Sequence, residues 1–381
     1  MTLTLFFYGS LCDAEVRGLV LGPEAAGTTS CRAVLHDHVL RPVVGEDYPT
    51  VVPQAGSEAP GLVVEGLSEE ALRRLRYFED DGDFHLRAVE VVTDAGPVSA
   101  QVFENHRQTA DPDVVWTLSA WHATAQPAFV EATRELMAHY GTLRAETVDG
   151  VWPGVRQRAY AKAAGKVERR PATFSTTLRA GDVEIDEWRH DHLSFFSMES
   201  VRMSHRRHGG GRTRSYERSV LVTGDGATVV PYDAVSDRVL LIEQLRAGAL
   251  ARRDDAPWLI EPVAGFIDST EGPEAAARRE AQEEAGLTLG RMERVAAAYP
   301  TPGSNSLLLY SYVGEADLTE AGGIYGLAEE MEDIRAFVLP FEEAMAGVAS
   351  GEINTGPLVM TLYWLALNRD RLRVAWADRA G

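Results

Sequence analysis

The sequence predicts a two-domain protein of mixed α+β and α/β class, in which a small strand-rich domain precedes a mixed sheet sandwiched by helices. Its length of 381 residues suits two domains of ordinary size. Its 45% of apolar and 25% of charged residues are typical of globular proteins, which excludes wholesale disorder and fibrous structure. The pattern of strand-like and helix-like segments changes near Gly141 and again near Asp182.

The first part of the chain alternates short strands with two helices. Residues 2–8 form an apolar, β-branched and aromatic run that predicts a buried strand, and Gly9-Ser10 ends it. Further strands are predicted at 61–64, 87–93 and 98–103, and helices at 68–75 and 127–140. These elements define a domain over residues 1–140.

The remaining elements predict a linker and a second domain. Residues 141–181 are rich in Arg, Ala and Gly with weak periodicity, which predicts a linker with one helix. From 182 to 381, we predict a mixed sheet covered by helices. Strands are expected at 194–203, 219–231 and 238–246, a strong helix at 272–285, and a C-terminal helix at 358–367.

Charge and cysteine content exclude several classes of protein. Lys and Arg number 37 against 57 Asp and Glu, so the net charge is −20. This negative net charge therefore does not favour nucleic acid as a partner, whereas it favours the binding of metal cations. Two cysteines cannot build a disulfide scaffold or a four-cysteine zinc site. Because the N-terminus lacks a signal pattern and no apolar run could span a bilayer, we expect a cytoplasmic protein without membrane partners.

The strongest chemical signal is a carboxylate-rich helix that follows a glycine-containing loop. Glu280, Glu283 and Glu284 have the i, i+3, i+4 spacing of one helical face. Three like charges destabilise a bare helix, but they suit Mg²⁺ or Mn²⁺, which take oxygen ligands and bridge to phosphates. A solvated acidic face is the alternative for a lone Glu-Glu pair.

The surrounding residues carry a family resemblance. They fit the pattern Gly-x5-Glu-x7-Arg-Glu-U-x-Glu-Glu-x-Gly-U without a break, at Gly265, Glu271, Arg279, Glu280, Glu283, Glu284 and Gly286. The segment therefore resembles the Nudix hydrolases. The resemblance implies an α/β/α sandwich that hydrolyses a nucleoside diphosphate linked to another moiety, with metal-activated water.

Features outside this motif resemble the ADP-ribose pyrophosphatase branch of that family. They are the segments 241–246 and 258–265, Pro302 placed 15 residues after Leu287, and the acidic segment 326–335. The branch implies cleavage of ADP-ribose, or of a related ADP-sugar, to AMP and ribose 5-phosphate, and a homodimer formed through the Nudix domain. One departure is that no acid follows Pro302-Gly303 within a few residues, so another dinucleotide stays open as the substrate.

The same resemblance implies roles for individual residues. Mg²⁺ or Mn²⁺ is expected between helix carboxylates, a backbone carbonyl and the acidic segment, while arginines and aromatic rings bind the nucleotide. The implied metal ligands are Ala264, Glu280, Glu284 and Glu332. The implied catalytic residues are Glu330 as general base and Glu283 in support. The implied substrate contacts are Arg246 and Arg218 for phosphate or the terminal ribose, and Phe195 and Phe196 for adenine.

Short motifs in the first domain resemble the γ-glutamylcyclotransferase-like (AIG2-like) family, whose fold is a small barrel. They are Tyr8-Gly9-Ser10-Leu11 after the first strand, Tyr48-Pro49, and Glu79 followed by Arg87 at the start of a strand. Backbone N–H groups at a strand end can cradle a carboxylate. The resemblance implies that Gly9, Ser10 and Leu11, with Tyr8, bind a γ-glutamyl compound and that Glu79 is the general acid/base.

Other interpretations of the two domains stay open. In one alternative, the main activity of the chain is the γ-glutamyl cyclotransfer that releases 5-oxoproline. In another, the first domain is a non-catalytic binding or dimerisation module. A nucleotide sensor that binds without hydrolysis is disfavoured by the complete glutamate set. A basic island at 202–218 with six arginines is interpreted as an anion-recognition or RNA contact, or as a solvated hairpin tip.

Substituting either Glu284 or Glu330 by Gln is expected to leave the fold intact and to lower turnover of the nucleotide substrate at least ~100-fold, the scale of losing a general base. Steady-state kinetics of the two purified variants provide the measurement. Turnover equal to the wild type in both variants would refute these roles.

Overall fold

The computed structural model describes residues 3–79, 84–105, 109, 113–167, 173–268, 271–327 and 331–377. Contacts divide the chain into two compact units, Met1–Ser219 and Val220–Gly381. The predicted fold class is confirmed, because the first unit contains a closed barrel with helices and the second contains a mixed sheet with helices.

Five strands close the barrel of the first unit in the order β1, β3, β2, β4, β5. Parallel pairing of Leu5 with Gln101 closes the circle. The barrel core contains Phe6, Val63 and Val102, because alternate residues of a strand point to the same face. The strands are β1 (Leu3–Phe7), β2 (Thr29–Pro42), β3 (Pro49–Leu67), β4 (Phe84–Thr93) and β5 (Gly96–Asn105).

In the described part of the first unit, five α-helices pack on the barrel strands through a second apolar core. This core includes Leu5 of the first strand together with Leu75, Trp121 and Phe129 from the helices. The segment predicted as a linker with one helix contains the longest helix of this unit. The helices are α1 (Ala14–Leu21), α2 (Glu69–Glu79), α3 (Leu118–Thr124), α4 (Gln126–Ala138) and α5 (Val148–Val167).

A three-stranded sheet follows, with the order β6 (Val183–Leu193), β7 (Ser197–His205) and β8 (Tyr216–Val222). Leu193 packs with Val155 and Ala159 of α5 in a small apolar cluster. β6 and β7 pack on the helices that precede them and belong to the first compact unit, whereas the predicted domain boundary at 182 stays a prediction.

Four charged side chains form a buried network that joins α4, α5 and β7. Glu135 and Glu199 are 1% and 0% exposed, and Arg158 is 1% exposed. Arg158 Nε lies 2.6 Å from Glu135, and Lys162 Nζ lies 3.1 Å from Glu135 and 2.9 Å from Glu199. Burial lowers the pKa of Lys162, but the two carboxylates outweigh it and raise the pKa. Two acids and two bases thus balance each other away from water.

The second unit is built on a mixed sheet with the order β13, β14, β9, β10, β16, β15, to which β12 is added beside β9 and β11 beside β10. β9 and β14 are parallel, and the other pairs are antiparallel. The strands are β9 (Gly226–Asp233), β10 (Arg238–Leu245), β11 (Trp258–Glu261), β12 (Val263–Phe266), β13 (Met292–Ala298), β14 (Leu309–Glu315), β15 (Gly323–Tyr325) and β16 (Ile334–Pro340).

Helices cover both faces of this sheet. In β9, Val229 belongs to the core shared with α7, whereas its neighbour Val230 belongs to the core shared with α8 and α9. Small residues such as Ala277 and Ala281 let α7 approach the sheet closely. The helices are α6 (Ala247–Ala251), α7 (Pro273–Ala285), α8 (Phe341–Ser350) and α9 (Gly356–Ala375), the last longer than the predicted 358–367.

Within the described ranges, none of the helices combines the length and the apolar composition that crossing a bilayer requires.

Replacing Glu135 by Gln is expected to destabilise the first unit by about 3 kcal/mol or more, because the buried charge of Arg158 loses its partner. The matched control is Glu15→Gln, which removes an ion pair with Arg134 whose side chains are 55% and 47% exposed. That control is expected to change stability by less than about 1 kcal/mol. Urea unfolding followed by circular dichroism compares them, and equal effects of the two substitutions would contradict a balancing role for the network.

Candidate active sites

The carboxylates of the second unit lie on α7, where the helix packs against β12. The small side chains of Ala281 and Ala285 are buried in the core that α7 shares with Val263 of β12. Glu284 is 2% exposed, and its Oε2 accepts a hydrogen bond of 2.9 Å from the backbone N–H of Ala264. The sequence motif therefore becomes a set of carboxylates held between one helix and one strand.

Gly265 makes room for the second carboxylate. A Cβ atom at this position would lie 1.8 Å from Oε1 of Glu280, so no larger residue fits while Glu280 keeps its position. The glycine that opens the motif is thus required by the close approach of a side chain from α7 to the backbone of β12.

One guanidinium group orders the acidic residues of this site. Arg279 lies 2.7 Å from Glu271, 2.7 Å from Glu280 and 2.9 Å from Glu283. Burial alone would lower the pKa of Arg279, but hydrogen bonding to Glu271 and the adjacent charges raise it, so this cation stays charged. The arrangement lets Arg279 orient three carboxylates at once.

The buried carboxylates are poised to accept positive charge. Burial raises the pKa of Glu280 to about 7 and the pKa of Glu284 to about 8. The charges of nearby carboxylates, including Glu332, contribute to both raised pKa values, whereas Arg279 acts to lower that of Glu280. A divalent cation would favour the ionised forms, and an all-oxygen donor set is the one that Mg²⁺ and Mn²⁺ prefer.

The structure describes only part of the predicted metal and catalytic set. Glu332 is half-buried, and its Oε2 accepts from the N–H of Leu327 at 3.2 Å. Glu330 lies outside the described residues. Among those that are described, no three His, Cys, Asp or Glu side chains are already gathered as a complete metal cluster. The donor types fit a divalent cation, but the individual ligand roles stay predictions.

The predicted substrate residues fall in both units. Arg246 lies in the second unit, with Nε 2.6 Å from Glu261, and its charge lowers the pKa of Glu284. Phe195 and Phe196 are described with the first unit, at the β6–β7 turn, where their rings are 4.8 Å apart. Arg218 is on β8, with its guanidinium over the ring of its neighbour Tyr216. Of the predicted substrate residues, Arg246 is thus the one that lies in the same unit as α7.

The arginines of the basic island are balanced in part by acids of the same sheet. Arg202 lies 3.0 Å from Glu187 and 3.4 Å from Glu217. Arg212 lies 3.3 Å from Glu184. The island is therefore not an unopposed basic surface, which disfavours the RNA interpretation.

The first unit contains a pocket of about 730 Å³, a volume that includes its open mouth. Ser10 and Leu11 of the predicted motif line it together with Pro49. Gly9 has a φ of +62°, and a Cβ there would lie 2.6 Å from Pro49 Cγ. Glycine is therefore required for the turn that carries Ser10 and Leu11 into the pocket wall.

Glu79 and Tyr8 line the same pocket. Glu79 is the last residue of α2, and burial raises its pKa from the ordinary 4.5 to about 8. Burial, and then the charge of Glu79, raise the pKa of Tyr8. Glu79 and three residues of the motif, Tyr8, Ser10 and Leu11, are 68 positions or more apart in the sequence and are thus brought to one cavity, although their roles stay predictions.

Some residues of the pocket wall do not belong to the motifs identified in the sequence. Val148, Asp149 and Trp152 line it from the first turns of α5, in the segment predicted as a linker. A signal for this helix was present, since Val148, Val155 and Ala159 are spaced as the buried face of a helix.

Comparison with known proteins matches each unit to a different family. A model of the NUDIX domain matches residues 222–358, and a model described as gamma-glutamyl cyclotransferase, AIG2-like, matches residues 5–123. An ADP-ribose pyrophosphatase of Escherichia coli is 39% identical over 208 residues, which are 55% of this chain and 99% of that protein.

Two further relatives and one solved structure are similar to parts of this chain. An ADP-ribose pyrophosphatase of Haemophilus influenzae is 34% identical and matches 51% of this chain and 91% of that protein. A GDP-mannose pyrophosphatase of Salmonella choleraesuis is 33% identical and matches 45% of this chain and 88% of that protein. A crystal structure of an ADP compounds hydrolase is 22% identical with a TM-score of 0.40, covering 53% of this chain and 98% of that one.

The second unit combines a sheet between helices with a glutamate-rich helix that follows a glycine-containing strand. This combination defines a Nudix hydrolase. The chain belongs to this family, as an enzyme of the ADP-ribose pyrophosphatase-like type with an AIG2-like domain at its N-terminal side.

Replacing Gly265 by Ala is expected to displace Glu280 and to weaken Mn²⁺ binding about 10–100-fold, the usual cost of disturbing residues that orient metal ligands. The fold should persist, because the clash is with the end of a flexible side chain. Gly272→Ala is the matched control, since a Cβ there meets nothing within 4 Å. Electron paramagnetic resonance of Mn²⁺ compares the two, and unchanged affinity in Gly265→Ala would overturn the role given to Glu280.

Proposed function

We propose that the second unit hydrolyses ADP-ribose, or a related ADP-sugar, to AMP and the sugar phosphate with Mg²⁺ or Mn²⁺. The observation that carries this proposal is the identity of 39% over 99% of an ADP-ribose pyrophosphatase. The GDP-mannose pyrophosphatase relative is less similar, at 33% over 88% of its length. The pairing of Arg246 with Glu261 beside Glu284 supports a nucleotide-diphosphate site, because arginine suits phosphate oxygens.

In this proposal the residues around α7 have separate tasks. Glu280 and Glu284, with the Ala264 carbonyl and Glu332, hold the metal, which when bound supplies charge neutralisation and an activated water. Arg279 keeps the carboxylates of the helix in position. Glu283 supports the ligands from the same helical face, and Glu330 is the general base.

The remaining predictions that belong to the nucleotide hydrolysis need tests of their own. Phe195, Phe196 and Arg218 are assigned to substrate binding by resemblance alone. A homodimer formed through the second unit rests on the same resemblance, and light scattering after gel filtration tests it. A cytoplasmic location also stays a prediction.

A substrate screen tests the proposed hydrolysis. ADP-ribose, ADP-glucose, GDP-mannose, NADH and diadenosine compounds are incubated with the full chain and Mg²⁺, and nucleoside monophosphate is quantified. The expected result is that ADP-ribose has the highest kcat/KM and that chelation of the metal stops its turnover. A higher kcat/KM for GDP-mannose, or absence of AMP release from ADP-ribose, would overturn the proposal.

We propose a second activity for the first unit, the cyclisation of a γ-glutamyl amide to 5-oxoproline and a free amine. The pocket favours it because Glu79 and the Ser10–Leu11 turn share one cavity. The α-amine nitrogen of the substrate attacks the γ-carbonyl carbon, forming the lactam C–N bond, and the original amide C–N bond breaks. Glu79 accepts the proton from the attacking amine and returns it to the leaving amine, so that no further reactant is required.

The pKa of Glu79 predicts a pH dependence for both activity and stability. As a base Glu79 must be ionised, so 5-oxoproline release is expected to rise with pH up to about 8 and to be abolished by Glu79→Gln. Between pH 4.5 and about 8 the native state keeps a proton that the unfolded state releases, so stability falls as pH rises through this range.

The substitution Glu79→Gln separates these effects from general pH sensitivity. Its denaturation midpoint should fall less steeply with pH than that of the wild type between pH 4.5 and about 8. Identical slopes, or 5-oxoproline release that persists in Glu79→Gln, would contradict the assignment. A first unit that binds γ-glutamyl compounds but never releases 5-oxoproline would instead be a non-catalytic binding module.

A further inference from the structure

The part of the chain between the two family matches contains a contact that neither family model includes. The AIG2-like match ends at residue 123 and the NUDIX match begins at residue 222, so α5 and the strands β6 and β7 lie in neither range. The β6–β7 turn, residues 194–196, includes Phe195 and Phe196, and it belongs to the same compact unit as α5. The way in which α5 holds this turn is therefore a property of this chain.

The turn is fastened to α5 through the backbone of Phe195. Nη1 of Arg158 donates to the Phe195 carbonyl oxygen at 2.8 Å, while Nε of the same guanidinium lies 2.6 Å from Glu135. Arg158 and Glu135 are each 1% exposed, so water does not compete for these bonds. Because a charged donor makes a strong hydrogen bond, the backbone of an exposed turn is tied to an interior group.

Two further contacts fix the shape of the turn and its entry. The backbone N–H of Ser194 donates to the Phe196 carbonyl oxygen at 3.0 Å, which closes the turn on itself. Leu193, the last residue of β6, packs with Val155 and Ala159 of α5. The turn therefore has little freedom to move away from the helix.

Gly154 makes room for this contact. A Cβ atom at Gly154 would lie 3.0 Å from Nη1 of Arg158 and 3.1 Å from the Phe195 carbonyl oxygen, both closer than ordinary van der Waals contact. At Gly150, one turn earlier in the same helix, a Cβ would meet nothing within 4 Å among the described residues. Glycine weakens a helix interior, and at position 154 the close approach of the turn accounts for it.

The side chains of the turn are exposed although its backbone is fastened. Phe195 is 65% exposed and Phe196 is 38% exposed, and their rings meet edge-to-face with centroids 4.8 Å apart. Exposed aromatic rings can stack on a nucleotide base, because every base has a π-face. The turn thus combines accessible rings with a fixed backbone, which is the arrangement that a base-binding surface requires.

We propose that Gly154 and Arg158 are positioning residues for the nucleotide site, because they hold the β6–β7 turn against α5 and so fix the rings of Phe195 and Phe196 for the adenine of the substrate. The inference rests on the nucleotide hydrolysis proposed above and on the adenine contact assigned to the two rings. In it, a helix outside the NUDIX match contributes to nucleotide affinity without touching the nucleotide.

The test inserts the same side chain at two positions of α5 in the full chain. Gly154→Val separates the turn from the helix, whereas Gly150→Val is the matched control, since both change helix propensity in the same way. Gly154→Val is expected to raise the KM for ADP-ribose about 10-fold, the affinity scale of one stacked base. Its kcat should stay within about twofold, because the adenine is held equally before and during the reaction. The pair Gly154→Ala and Gly150→Ala gives the same comparison with a smaller insertion, and it decides the matter where the Val variant does not fold.

Product inhibition separates a positioning role from a structural one. AMP carries the adenine and ribose 5-phosphate does not, so Gly154→Val is expected to raise the inhibition constant of AMP about 10-fold and to leave that of ribose 5-phosphate unchanged. In a chain with Phe195→Ala and Phe196→Ala, adding Gly154→Val should have no further effect on AMP, because residues that act through one contact are not additive. Equal losses for both products, or additive losses for AMP, would overturn the inference.

The outcomes also distinguish this inference from the proposed hydrolysis. Wild-type turnover of ADP-ribose with equal KM values in Gly154→Val and Gly150→Val overturns the positioning role while the hydrolysis stands. Absence of turnover in the wild type overturns the hydrolysis, and calorimetric titration of AMP into the same variants then decides the inference. AMP binding that is weakened in Gly154→Val alone supports it, whereas equal AMP affinity in both variants, or absence of AMP binding to the wild type, overturns it.

Discussion

A carboxylate can be buried only where its charge is balanced or its proton is retained, and every functional region of this chain depends on how that constraint is met. Glu135 and Glu199 are balanced by Arg158 and Lys162 in a closed network. Glu280 is held by Arg279 and, in the proposed function, by a divalent cation. Within the part of the chain that the structure describes, no cation balances Glu79, and burial raises its pKa so that it keeps its proton instead.

These different solutions suit different tasks. In a balanced network each charge requires its partner, because removing either charge would leave the other buried and unpaired. A partly balanced cluster with raised pKa values would gain stability from a bound cation, so the proposed metal binding would be linked to the ionisation of Glu280 and Glu284. A lone carboxylate whose pKa lies near physiological pH can both accept and donate a proton, which is the requirement for acid/base catalysis.

Helix α5 shows how one element serves several of these sites. Its first turns line the pocket of the first unit, its middle contributes Arg158 and Lys162 to the buried network, and Arg158 also donates to the carbonyl of Phe195 at 2.8 Å. The apolar residues of this segment have a weak periodicity because two faces of the helix are buried. One face contacts polar partners, and the other packs in the apolar core. A helix packed in this way does not show the single apolar stripe that identifies amphipathic helices.

The sequence by itself determined the fold class, the two families and the residues of the glutamate motif, because the chemistry of metal binding and of tight turns restricts residue types at set spacings. Gly265 illustrates this, since its place in the motif follows from contact with Glu280. Only the tertiary structure decided the raised pKa values of Glu79 and Glu284, the pairing of the basic island with acids, and the presence of Asp149 and Trp152 in the pocket. These properties depend on burial and on contacts between residues distant in the chain, which local patterns do not encode.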